Sequence, residues 1–97
     1  MRFLLNSLKD VLSGGANSLV KESPALYYSL GNLADNKRQW DNAITYYRRA
    51  LALDSQYVDA YIGLGGDYYE KAQYGLEVEN YLKATLADPQ SRDAFIY

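Results

Sequence analysis

Ninety-seven residues, 48% of them apolar, suffice for one small folded domain and are too apolar for wholesale disorder. The chain has no Cys and no His, which removes disulfides, Cys/His zinc sites, thiol nucleophiles and imidazole acid–base chemistry, so no metal and no cofactor is expected. The net charge of −2 is uneven: between 58 and 91, Asp59, Asp67, Glu70, Glu77, Glu79 and Asp88 face only Lys71 and Lys83. That acidic half argues against nucleic acid, whose phosphates need clustered Lys and Arg. A cysteine-free chain fits a cytoplasmic, reducing compartment.

At the N-terminus, Leu4, Leu5, Leu8, Val11 and Leu12 fall at helical spacing and predict an amphipathic helix over 2–13. The stretch is too short and too interrupted by Asn6 and Lys9 to cross a membrane, and it lacks the continuous apolar core of a secretory signal. Three uses stay open for it: covering the exposed side of the helices after it, lying on a membrane surface, or docking on another chain. Ser13-Gly14-Gly15-Ala16-Asn17-Ser18 then breaks the pattern with a flexible composition. Ser23-Pro24 is a strong helix start, the Ser oxygen capping free N–H groups and Pro taking the first helical position.

From Pro24 onward the pattern predicts four helices, at about 24–37, 40–53, 58–71 and 74–88, and a stub from Arg92 to Tyr97. The short connections make neighbouring helices antiparallel. Asp88-Pro89 ends the fourth, because the residue before Pro avoids helical dihedrals, and Ser91 is placed to cap the stub. The four helices are two copies of one hairpin. Tyr27, Leu30, Gly31, Trp40, Tyr47, Ala50 and Asp54 recur as Tyr61, Leu64, Gly65, Tyr74, Tyr81, Ala84 and Asp88, each shifted by 34 residues.

Small residues should sit where two helices cross: Gly31, Ala43 and Ala50 in the first copy, Gly65 and Ala84 in the second. Rings of Tyr27, Trp40 and Tyr47, and of Tyr61, Tyr74 and Tyr81, should fill the space beside them. Glu77 breaks the pattern, standing where the first copy has Ala43. A carboxylate at a helix crossing is costly without a partner, so this hairpin should splay, or Glu77 reach outward, or a cation come from elsewhere. The run Gly63-Leu64-Gly65-Gly66 is no phosphate loop, since no strand precedes it. Gly63 and Gly66 look surplus to the hairpin, and each weakens the helix by about 1 kcal/mol unless another backbone must come close. Arg48-Arg49 is an isolated basic pair and reads as a solvated helix face.

Aromatic, Leu-Gly, aromatic, Ala, Tyr and Asp, in that order and at a 34-residue period, resemble the tetratricopeptide repeat, a helix–turn–helix hairpin. The resemblance implies an all-α solenoid of antiparallel helix hairpins (an α-α superhelix). Its layout would be an N-terminal helix and linker at 1–23, one unit at 24–57, a second at 58–91, and the start of a third or a cap at 92–97. It also implies a scaffold or adaptor rather than an enzyme, binding a protein or peptide segment along a concave groove lined by the first helix of each unit. By repeat register that groove shows Tyr28, Asn32, Asp35 and Asn36 from the first unit, and Asp59, Ile62, Gly66, Tyr69 and Glu70 from the second. Acidic and Tyr-bearing with an apolar centre, it suits a segment with Lys or Arg beside an apolar anchor. The family's subgroup that grips acidic chaperone tails uses a clamp of Lys, Asn and Arg. Only Asn32 matches it, with Tyr28, Gly63, Asp93 and Tyr97 at the other clamp positions, so acidic tails should not bind. The family turn Gly is absent from Lys37-Arg38-Gln39-Trp40 and from Lys71-Ala72-Gln73-Tyr74. The alternative is a structural module that forms a homo-oligomer through its repeat ends, with Leu4, Leu8, Phe95, Ile96 and Tyr97 in contact, since repeat arrays need covered ends.

Overall fold

A computed structural model of the chain describes residues 21–88. The leading helix expected over 2–13, the stub from Arg92, and Leu4, Leu8, Phe95, Ile96 and Tyr97 lie outside the described residues. Within them are four α-helices: α1 Pro24–Asn36, α2 Trp40–Leu53, α3 Val58–Glu70 and α4 Tyr74–Ala87. Each expected helix is present, and three of the four stop one residue early.

The helix starts differ in kind. Ser23 is extended, and its Oγ accepts the Leu26 N–H at 3.1 Å, with Pro24 opening the helix as its sequence promised. The starts of α2, α3 and α4 have no side-chain cap. Asp41, Asp59 and Glu77 in their first turns set negative charge against the positive end of the helix instead.

The missing turn glycines are accommodated by strain. Arg38 and Ala72 both sit at φ 58°, the left-handed region that glycine enters freely and an L side chain does not. Around them two hydrogen bonds repeat copy for copy. The Arg38 and Ala72 N–H groups reach the Asp35 and Tyr69 carbonyls, both at 2.9 Å. The Gln39 N–H reaches back to the Ala34 carbonyl at 2.9 Å and the Gln73 N–H to the Tyr68 carbonyl at 2.8 Å, closing each helix with the wide loop of a Schellman turn.

Helices α1 and α2 form one hairpin and α3 and α4 the next, while α2 packs on α3 to join them. The core lies along this joint: Ala34, Ala43, Ile44, Tyr47, Ala50, Ala60, Leu64 and Tyr68 are buried, with Tyr28, Tyr46, Leu51 and Tyr57 packed against them. Burying a side chain such as Ile44 or Leu64 stabilises the fold by about 1.5–3 kcal/mol. Gly31 and Gly65 hold the crossings expected of them. A Cβ on Gly31 would lie 2.4 Å from the Tyr47 ring, and one on Gly65 2.4 Å from the Tyr81 ring. The equal approach shows that the second hairpin is not splayed by Glu77, which is half-buried beside it.

Two sequence expectations need correction. The rings of the second unit are not buried like those of the first. Tyr74 is 57% and Tyr81 39% exposed against 1% for Tyr47, because α3 covers the outer side of α2 while no described element covers α4. Gly63 is not surplus, and what it admits is a ring rather than a backbone. A Cβ there would stand 2.6 Å from the Tyr47 ring, so Tyr47 is held between Gly31 of its own hairpin and Gly63 of the next.

Candidate functional site

Because α1 and α3 lie side by side on the same face of the stack, residues spaced a turn apart on each line one cleft. It is an open depression of about 290 Å³. Of the nine groove residues expected from register, Tyr28, Asn32, Asp35, Asp59, Ile62, Gly66 and Glu70 are brought together in it. Asn36 and Tyr69 are not. Asn36 is exposed at the end of α1, and Tyr69 leans on the Tyr74 ring, centroids 6.0 Å apart. Of the other lining residues, Gly63 was expected at a clamp position, and Trp40, Tyr47 and Asp67 were not foreseen.

The upper wall is apolar. The Tyr28 ring sits 5.8 Å from Tyr47 and 5.9 Å from Tyr57, which fixes it in place, and Ile62 is half exposed in the same cleft. Asp59 and Glu70, both exposed, bracket this wall on α3.

The floor is polar and buried. The Tyr47 hydroxyl donates to Asp35 Oδ2 at 2.6 Å and lies 2.7 Å from Asn32 Oδ1. Burial first, and the Asp35 carboxylate second, push this phenol well above its ordinary titration range, so it stays a donor. Asp67 on α3 is 1% exposed and stands against Asp35, close enough to hydrogen-bond. Burial, then that hydrogen bond and the Asp35 charge, then Glu70, push the Asp67 carboxyl up to about 9. Two carboxyls in such contact cannot both be ionised, and the pair holds one proton at neutral pH. Asp35 Oδ1 and Asp67 Oδ2 are buried, and neither accepts a hydrogen bond from any donor of the described residues.

The signal for Asp67 was present in the sequence only as one of three acidic residues on α3, with Asp59 and Glu70, and nothing local sets it apart from them. Its burial follows from crossing α1 at Asp35, which no local pattern encodes. Chemically the cleft offers hydrogen-bond acceptors, rings and one indole. Among the described residues there is no group of three metal-ligating side chains. No described helix is long and apolar enough to cross a membrane.

Comparison with known proteins agrees with the hairpin repeat. The tetratricopeptide repeat family matches residues 24–57, which are α1, α2 and the connection to α3. A UDP-N-acetylglucosamine--peptide N-acetylglucosaminyltransferase from Giardia intestinalis (strain ATCC 50803 / WB clone C6) is 30% identical over 69 residues. That alignment covers 71% of this chain and 5% of the transferase, so the chain spans about a twentieth of the length of its relative.

Proposed function

The chain belongs to the tetratricopeptide repeat family, whose units are generally protein-interaction modules, and on that premise we propose that it is a non-enzymatic adaptor holding an extended peptide or a helix in the cleft between α1 and α3. One observation carries this reading: Tyr28 and Ile62 present an apolar patch inside a ring of Asp35, Asp59, Asp67 and Glu70 with no cation among them. A segment with an apolar anchor flanked by Lys or Arg is complementary to that arrangement in shape and charge. The transferase resembles this chain over too small a share of its length to lend it a sugar-transfer activity, and the one hydroxyl–carboxylate contact in the cleft, Tyr47 with Asp35, is a buried phenol held in its protonated form.

The test is selection of random dodecamer peptides on the intact chain. Enriched sequences should pair Lys or Arg with an apolar residue, and Ile62→Glu or Glu70→Lys should weaken the best peptide about tenfold, near 1.4 kcal/mol, with unchanged circular dichroism. Absence of enrichment over scrambled controls would sink the adaptor reading.

A second reading, self-assembly, is favoured by α4. Val78, Leu82 and Leu86 are 64, 57 and 56% exposed, a long apolar row on a helix whose outer side no described element covers. Light scattering during the same titrations separates the two: a dimer abolished by Leu82→Glu, with no peptide captured, supports assembly over capture.

A further inference from the structure

We propose that the Asp35–Asp67 carboxyl pair on the floor of the cleft is the receptor for one cationic side chain of the bound segment, an Arg or a Lys, which takes the place of the proton the two carboxyls share. This rests on the adaptor reading and says which contact of that segment is decisive. The first observation is the orphaned pair of oxygens, Asp35 Oδ1 and Asp67 Oδ2, both buried and without a donor. Buried acceptors in a folded protein are almost always satisfied, and one carboxyl proton fills only part of their capacity. The second is the wall above them. Tyr47 gives its single proton to Asp35 Oδ2, and apart from the proton the two carboxyls hold between them no described side chain donates to Asp35 Oδ1 or Asp67 Oδ2. The third is place: Asp35 and the almost fully buried Asp67 line the same cleft as Tyr28 and Ile62, whose apolar surfaces suit the methylenes of a long cationic side chain.

The charges around the pair agree. Facing Asp67 are Asp35 from α1, Tyr47 from α2, Glu70 from its own helix and Tyr81 from α4, with no cation among them. A guanidinium or ammonium there would make the second ionisation favourable, and the proton would leave to solvent: the pair goes from one negative charge to two as the ligand brings one positive. Two carboxyls are too few ligands for a divalent cation held by protein alone.

The probe is the tightest Arg-bearing dodecamer from the selection, made also with citrulline, which keeps the shape of Arg and removes the charge. Titration calorimetry on the intact chain, in two buffers of different ionisation enthalpy at pH 8, should show release approaching one proton per peptide. Affinity should climb as pH rises toward about 9, where the free pair loses its own proton, and level off above it. Citrulline should weaken binding about tenfold or more, as for a hydrogen bond to a charged group. Asp67→Asn should abolish both proton release and the Arg–citrulline difference. The proton count and the citrulline comparison need no variant and stand even if Asp67→Asn misfolds. Selected peptides without a fixed cation, equal binding of the citrulline peptide, or no proton release would overturn this inference while leaving the adaptor reading intact. Failure to select any peptide would overturn both, and displacement of the peptide by millimolar calcium or magnesium would make the pair a metal site and overturn this one alone.

Discussion

Gly63 and Gly66 lie one turn apart on α3 and would respond oppositely to the same substitution. A methyl on Gly63 meets the Tyr47 ring at 2.6 Å, and that ring is already pinned from its other face by Gly31, so it has nowhere to move. Gly63→Ala should cost roughly 1–3 kcal/mol in denaturant unfolding, as overpacking does. At Gly66 the nearest atom to an added methyl is the Tyr81 hydroxyl at 3.9 Å, so Gly66→Ala should gain up to about 1 kcal/mol from helix propensity. The sequence distinguishes neither glycine from the other, because the ring that decides the matter belongs to another helix of the other hairpin. Asp67 was equally opaque. A charged residue on a helix face ordinarily faces water, and only the approach of α1 turns it inward.

Among the elements, the helices themselves were legible to within a residue, since spacing of apolar side chains, Ser23-Pro24 and the 34-residue period all point the same way. The hairpin turns were legible only as an anomaly. What the structure adds is where the anomaly is borne: Arg38 and Ala72 adopt the same left-handed angle, at a cost of about 1–2 kcal/mol for a residue with a Cβ. Ala72→Gly and Arg38→Gly should each raise stability by about 1 kcal/mol, read from the urea midpoint with an unchanged slope. A loss of stability at both would mean that the turn residues are held by contacts other than backbone angle.

At the scale of the molecule, the two hairpins meet through Tyr47, wedged between glycines of both, and through the Asp35–Asp67 contact beneath it. The repeat architecture could be read from periodicity. The polar joint could not, because its members come from different units and break register with one another. That joint ties stability to pH. Asp67 has an ordinary value of 3.8 and is held at about 9 when folded, so between these values the folded chain keeps a proton that the unfolded chain gives up. The contribution is therefore complete below the lower value and is lost as pH rises toward the higher. Asp67→Asn keeps the shape and a donor toward Asp35 but cannot ionise, so its stability relative to the parent chain should grow steadily from pH 5 to pH 9. A difference that stays level across that range would show that the two carboxyls do not share a proton.

Trp40 is the chain's single tryptophan, and it stands half-buried in the wall of the acidic cleft, among the same residues that would meet a ligand. Its indole thus serves as a built-in optical probe. Any molecule that settles there changes the polarity around the fluorophore and shifts its emission, whereas events on the far side of α4 leave the spectrum alone. Occupancy of the cleft can be followed in a fluorimeter, with no label attached and before the occupant's identity is known.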